Sequence, residues 1–470
     1  MKYYLSFFTA ILFFVQTTHA QEKWSLERCI NYAHENNIEL KQQELNAEMN
    51  EHSYKQSYLN MLPTANAGVS ENISFGRALD ETTYEFTENE TVISGNLNLS
   101  TSLTLFNGLQ KYNTVQKQKF NLQASLQDVE QFKNDISLNI ASAYLQILFN
   151  KELLQNAGNQ LEVIQQQVEQ TSQLVEAGSL AEGSLLEIEA QMASEELQVV
   201  NAENQLEMSV LNLKQLLDLG EAEAFDIVVP EIQIDEAPVL AGVSEVYENA
   251  LALYPMIKSA EYSLQSSKED LQIAKGGRSP SLNMNFSYGT GYSDIRERVS
   301  SFETVQIPFG ETAGGETVFV TQQNPLLETY PVMDQLSDNA SKTLSFTLGI
   351  PIFNGWQVNT NINSAKIGVM NAEYNLKRSK NQLYKSIQQA HADARAALKR
   401  YYAAGKTVNS MQEAFRYTQQ KYEVGLVNTI EYNNAKNQLM EAQSQQLQSK
   451  FEYIFKKSIL DFYMGNPIIL

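Results

Sequence analysis

The sequence is poor in the residues that staple, ligate and break. It holds one cysteine, Cys29, so it can form no internal disulfide and no cysteine-based metal site. The apolar neighbours of Cys29 at helical spacing, Leu26, Ile30 and Ala33, give it a buried apolar role. The 4 histidines lie far apart, and nothing matches HExxH, a Walker loop, GxSxG or a Cys/His cluster. Neither catalysis nor a cofactor is expected. After residue 20 no apolar run reaches 18 residues, so no helix is expected to span a bilayer. Any membrane contact must come from strands or from an amphipathic face. Cationic residues are outnumbered, 34 to 55, and the net charge of -21 argues against nucleic acid or anionic headgroups as partners. Proline is missing from 64–229 and again from 352–466, which leaves two stretches where nothing interrupts a helix.

What is present begins with an export signal over residues 1–20. Lys2 supplies the charge, Tyr4 to Val15 the apolar core, and Thr18-His19-Ala20 the small-residue cleavage site before Gln21. The core is too short to act as a membrane anchor.

The rest is written twice. Leu105-Phe106-Asn107-Gly108 returns as Ile352-Phe353-Asn354-Gly355, an offset of 247, and Gly158 and Gly178 return as Gly405 and Gly425 at the same offset. Ala33 and Pro63 keep their spacing of 30 in Ala250 and Pro280. Spacing held so closely marks a duplicated rigid object. The first repeat is assigned to 21–219, a linker to 220–242 and the second repeat to 243–470. Long helices are expected over 109–177 and 356–424, with return helices over 184–218 and 430–464. Thirteen of sixteen heptad a and d positions from Leu122 to Val175 are apolar, and the shifted set in the second copy gives the same count. Lys133 and Thr171 recur as Lys380 and Thr418, polar interruptions expected to fix register. Glycines 178 and 425 read as helix C-caps at hairpin tips. Gly158 and Gly405 read as a bend or a close backbone approach. The linker, with Pro230, Pro238 and its acidic residues, is expected to lie outside the helical wall.

Four segments alternate apolar with small polar residues: 65–76, 92–106, 281–292 and 342–353. Their length and period suit the wall of a membrane β-barrel. Four strands cannot close a barrel, and an open edge is not tolerated in lipid, so the barrel must be shared between chains. Eight strands would be filled by side chains, so three chains are inferred, with Asn, Ser, Thr and Gly lining a wet lumen. The connection 293–341 is long, with three prolines and Gly314-Gly315; its sequence does not specify a fold.

The order of helix, strand pair, very long helix, tip turn and return helix, given twice, carries Phe-Asn-Gly at both strand-to-helix junctions and Val424-Gly425-Leu426 at one tip. In this it resembles the TolC-like outer-membrane efflux proteins over the whole mature chain. The resemblance implies a mainly α fold with a membrane β-barrel part, in which a homotrimer shares a 12-stranded barrel in outer-membrane lipid and an α-helical tunnel through the periplasm. It implies a passive exit duct, not an enzyme, docked on a periplasmic adaptor and energised through it by an inner-membrane pump. The adaptor contact is carried to Val424, Gly425 and Leu426, and with less support to Ala177, Gly178 and Ser179. Tyr422 matches a tyrosine of the family's closed entrance, and Glu431 and Asn434 match two acidic positions that ring it. Val427 replaces a basic residue there, and Ser184 replaces the acidic partner in the first copy, so most of the charged latch is missing. The alternative is a trimeric coiled-coil stalk or adhesin with a barrel anchor and no transport role.

Overall fold

The structure is a computed structural model, and it describes residues 23–77, 86, 90–220, 225–230, 234 and 240–468. The expected export signal lies outside the described residues, as do parts of the linker. The first copy comprises α1 (Leu26–Asn36), α2 (Ile38–Leu59), β1 (Thr64–Gly76), β2 (Glu90–Asn107), α3 (Gln110–Glu176) and α4 (Glu182–Leu216). The second comprises α5 (Val243–Leu253), α6 (Pro255–Gly276), β3 (Ser281–Ser293), β4 (Glu297–Glu311), β5 (Thr317–Thr329), α7 (Val332–Asp338), β6 (Ser341–Gly349), α8 (Gln357–Glu423) and α9 (Thr429–Tyr463). Among the described residues no helix is long and apolar enough to cross a membrane.

Two compact units cut across the repeats. One gathers the described residues of 1–50, 122–263 and 372–470; the other gathers 51–121 and 264–371. The first is helical. Its main core joins α1, the middle of α3 and the ends of α4 and α9 around Ile140, Tyr144, Ile147, Leu213 and Leu217, with Cys29 fully buried among them. Burial pushes the Cys29 thiol up to about 12, so it stays neutral. Helix α1 starts at Ser25, whose side chain accepts from the Arg28 amide at 3.2 Å.

The described part of the linker packs onto the helical core. Ile227 is 1% exposed and bridges Trp24, while the Tyr144 hydroxyl donates to the carbonyls of Trp24 and Val228 at 3.0 and 2.6 Å. Among the described residues of this segment Ile227 is the one buried side chain; Val228 and Val229 stay exposed, and Asp226 is half-buried. Burial alone would raise the Asp226 carboxyl, but Lys151 and Lys23 outweigh it and hold the group below the usual carboxylate range.

The heptad seam is buried in mid-helix, at Val129, Ile136, Ile140 and Ile147 in α3 and at Leu383, Ile387, Ala390, Ala394 and Ala397 in α8. Lys133 and Lys380 do not fill it. Their side chains are 28% and 37% exposed and reach Glu130 and Glu261. A long aliphatic stem carries each charge to the rim, so the lysine pair is not a buried interruption, whereas Thr171 is buried and Thr418 half-buried. Both long helices run through their glycines unbroken. A methyl on Gly405 would touch Gln446 at 3.0 Å, whereas Gly158 has open space.

The second unit holds a four-stranded antiparallel sheet in the order β1-β2-β3-β6, so strands of both copies share one wall. The last strand ends at Gly349, not at 353 as expected. Gly349 already faces Ser281, the first residue of β3, and beyond it Pro351 lacks the N–H a ladder requires. Between β3 and β6 the chain forms the β4–β5 hairpin, an element that was not anticipated. Helix α7 ties it down. Gln335 is fully buried, its amide donating to the carbonyls of Ser293 and Tyr330 at 2.9 and 2.7 Å and accepting from the Ser293 amide at 2.9 Å.

The turns from strand to long helix are built alike. Gly108 and Leu109 have φ of 66° and 61°, and Gly355 and Trp356 have 59° and 67°. Two successive left-handed residues need glycine at the first and strain the second. At Gly108 the backbone is also crossed closely: a methyl there would lie 2.3 Å from the Gly276 carbonyl oxygen.

Candidate functional site

The two helical hairpins end in tips that share one hydrogen-bond pattern at the 247-residue offset. At the first, the Gly178 amide donates to Val175 at 2.9 Å and the Ser179 amide to Leu174 at 2.8 Å. At the second, Gly425 donates to Tyr422 at 2.9 Å and Leu426 to Lys421 at 2.8 Å. This pairing, with φ of 72° at Gly178 and 74° at Gly425, is the Schellman closure that satisfies carbonyls at a helix end. Ala177, Gly178 and Ser179 are exposed, as are Val424, Gly425 and Leu426. Val424 and Leu426 stand out at 69% and 74% exposure, two apolar side chains presented on a rigid turn.

The tips differ in how the next helix starts. Helix α9 has Asn428 as N-cap, its side-chain oxygen accepting from the Glu431 amide at 2.9 Å. Helix α4 starts after Ala181, which has no capping side chain. Glu431 thus sits at the third helical position of an Asn-x-x-Glu start, where a carboxylate also favours the helix dipole. Glu431 and Asn434 are both exposed.

Tyr422 is half-buried. Its ring lies 4.8 Å from that of Tyr432, centroid to centroid, and Tyr432 in turn lies 5.3 Å from Phe415. Tyr432 is 1% exposed and accepts a hydrogen bond from the Gln167 amide, so the aromatic stack joins α8 and α9 to α3. Burial raises the Tyr432 hydroxyl above its ordinary range and keeps it neutral. One turn further along α9, Lys436 faces Glu195 of α4 with Nζ to Oε1 at 3.8 Å, both side chains 2% exposed. Gln191 donates to the same carboxylate oxygen at 2.8 Å, while Lys436 Nζ and Glu195 Oε2 make no hydrogen bond. Burial pulls the Lys436 amine down, and Glu195 opposes it only in part.

The structure therefore brings Tyr422 into a packed network with Tyr432, Gln167 and Phe415, and leaves Glu431 and Asn434 on the surface of the first turns of α9. Sequence reasoning missed Tyr432, Gln167, Lys436 and Glu195. Asn428-x-x-Glu431 is a capping-box spacing that could have been read. The buried ion pair had no local signal, since its members lie on different helices. Among the described residues no group of three or more His, Cys, Asp or Glu could hold a metal ion.

A four-stranded sheet drawn from both copies continues along the chain into two 67-residue helices with tight tips. The family described as outer membrane efflux protein matches residues 29–218 and 246–465, and the chain belongs to that family. It is thereby an outer-membrane protein that extends into the periplasm. Among curated relatives, the outer membrane protein TolC of Escherichia coli (strain K12) is 22% identical over 349 residues, 73% of this chain and 64% of the relative's own length. Of solved structures, CusC aligns with a TM-score of 0.76 at 17% identity, over 94% of this chain and 92% of that one. The outer membrane protein VceC of Vibrio cholerae aligns with a TM-score of 0.72 at 16% identity, over 94% and 97%. At these identities the structures speak for the fold.

Proposed function

We propose that the chain is the outer-membrane exit duct of a tripartite efflux or type I secretion assembly, a passive channel-tunnel and not an enzyme. Three copies close a twelve-stranded barrel and a helical tunnel. The energy comes from an inner-membrane pump, coupled through a periplasmic adaptor that holds the tips. The observation that carries this reading is the sheet order β1-β2-β3-β6, which leaves two unpaired edges on an element with one apolar and one small polar face. Such edges are satisfied in lipid only by closure with further copies.

In this reading Val424, Gly425 and Leu426, with Ala177, Gly178 and Ser179, are the adaptor contacts. Their support is exposure on rigid glycine turns. Tyr422, Glu431 and Asn434 form the periplasmic entrance. Tyr422 is restrained by its stack on Tyr432, and Glu431 is held at a capped helix start from which three copies would present one acidic ring. With Asn434 uncharged, a second ring is absent.

Conductance of the purified protein in a planar bilayer tests the reading. A duct gives stable single-channel currents, and an anchored rod or adhesin gives none. Within that experiment, Glu431→Ala is expected to weaken block by divalent cations while leaving open-channel current in place. Unchanged block would remove the ring and leave the duct.

A further inference from the structure

The internal repeat carries information about a contact that a single chain does not contain. First strands of the two copies are related by an offset of 217, from Pro63 to Pro280, and second strands by 247, from Phe106 to Phe353. These offsets can be checked inside the sheet. In the first hairpin Thr64 faces Ser102 and Asn72 faces Ser94; in the second Ser281 faces Gly349 and Gly289 faces Ser341. Each second pair is the first pair carried forward by the two offsets, so the register repeats residue for residue. One kind of pairing then occurs only once, that of a second strand with the first strand of the following copy. It is β2 with β3, where Gly95 faces Tyr292, Leu97 faces Thr290, Leu99 faces Tyr288 and Thr101 faces Phe286.

Carrying that register forward, we propose that β6 of one chain pairs with β1 of a second copy of this chain with Leu344 opposite Ile73, Phe346 opposite Glu71 and Leu348 opposite Val69, and that Lys342 stands opposite Phe75. The inference rests on the shared-barrel reading above and specifies its interface.

The chemistry of the paired faces agrees. Leu344, Phe346 and Leu348 are 58%, 59% and 61% exposed in one chain, and Val69, Ile73 and Phe75 are 79%, 55% and 79% exposed. All fall on the same outward face. The alternate pairs, Ser345 with Asn72 and Thr347 with Ser70, make a small polar ladder on the other. A slip of one residue would set each apolar side chain on the polar face. Glu71 is the exception on the apolar side, and it has its own partner: the Tyr292 hydroxyl reaches its carboxylate at 3.2 Å. Gly95 makes this possible, since a methyl there would lie 2.3 Å from the Tyr292 ring. The counterpart of Gly95 in the second copy is Lys342, and the counterpart of Tyr292 is Phe75. Lys342 already faces Tyr288 within its own chain. The new pairing sets it between two rings, a cation–π arrangement between copies. Ile350 and Ile352, 61% and 95% exposed beyond the end of β6, lie where the same strand of the second copy continues.

Cysteine cross-linking in a Cys29→Ala background tests the register. Directly opposed Cβ atoms lie about 4.5–5.5 Å apart and diagonal ones about 7–8 Å, and disulfides need roughly 3.5–4.5 Å, so about a tenfold difference in cross-linked yield separates neighbouring registers. Leu344→Cys with Ile73→Cys, oxidised in detergent, is expected to give covalent trimers on denaturing gels. The shifted pair Leu344→Cys with Glu71→Cys should give about tenfold less, as the diagonal spacing dictates. Thr347→Cys with Ser70→Cys, on the opposite face, should again cross-link. Equal or better yield from the shifted pair overturns the register. Light scattering on the uncross-linked single-cysteine proteins keeps the two levels apart. A trimer that gives no in-register cross-link sinks this interface alone, whereas a monomer sinks the shared barrel itself.

Discussion

Copy one and copy two build helices and first strands of equal length from different side chains. Helices α3 and α8 have 67 residues each, α4 and α9 have 35 each, α2 and α6 have 22 each, and β1 and β3 have 13 each. The second strands are unequal, 18 residues in β2 and 9 in β6, and the connection between the strands of a pair is longer in the second copy, where it carries a hairpin and a short helix. An element inside a wall is held by neighbours on both sides, so adding a residue would put every later side chain out of phase. A loop at a free end has no such neighbours. Among the places where side chains diverge are a buried position between the return helices, the strand-to-helix junction, and the start of the return helix at each tip.

The buried position separates the copies most. Glu195 corresponds to Ala442 and Lys436 to Glu189, so copy one buries an acid where copy two buries a methyl, and copy two buries an amine where copy one exposes an acid. Breaking a buried pair from one side leaves an uncompensated charge. Lys436→Met is therefore expected to lower the stability of the helical unit by about 3 kcal/mol. Lys436→Met combined with Glu195→Leu should recover most of it, because a well-packed apolar pair avoids both desolvation terms. Chemical unfolding in detergent, followed by circular dichroism, measures both. A silent single variant would mean that water, not Lys436, satisfies Glu195.

At the junction the copies share a left-handed turn but not its surroundings. A methyl on Gly108 meets the Gly276 carbonyl at 2.3 Å, whereas Gly355 has nothing within 4 Å. Gly355→Ala carries only the backbone strain, about 1 kcal/mol. Gly108→Ala adds the overlap with a backbone that cannot step aside, so about 2–3 kcal/mol is expected. Melting temperatures of the two variants decide it. Equal losses would mean that a neighbouring copy crosses Gly355 as Gly276 crosses Gly108.

These contrasts also bear on what a sequence can disclose. The long helices were legible because a heptad pattern over many turns has no other reading, and the tips because glycine past a helix end has one structural use. The four wall strands were legible from their two-residue period. The β4–β5 hairpin was not, because neither face is cleanly apolar: Ile307 and Val320 share a face with Glu303 and Asn324. Pro308 and Pro325 further argued against strand, though an isolated two-stranded ribbon leaves outer N–H positions where proline fits. Nothing in their sequence neighbourhoods singles out Lys436 and Glu195, since only packing between α4 and α9 places them inside. The burial of Ile227 depends on a partner, Trp24, far away in sequence.

The tips differ by the least energy and bear most directly on the proposed entrance. Asn428 caps α9 through the Glu431 amide, while Ala181 offers α4 no side chain. Removing such a cap costs about 1 kcal/mol, and adding one returns a similar amount. Asn428→Ala should speed amide exchange in the first turn of α9 by about fivefold, the exchange equivalent of that loss. Ala181→Asn should slow exchange by a similar factor in the first turn of α4, where the Ser184 amide now bonds only the Ala181 carbonyl at 3.0 Å. Because local opening at a helix start is governed by the free energy of that turn, the two changes should leave exchange in the middle of α3 and α8 untouched. If Asn428→Ala leaves the α9 turn as protected as before, the stack of Tyr422 on Tyr432 holds that turn instead of the cap. The entrance would then be fastened by its aromatic rings, and Tyr432→Leu would become the variant that loosens it.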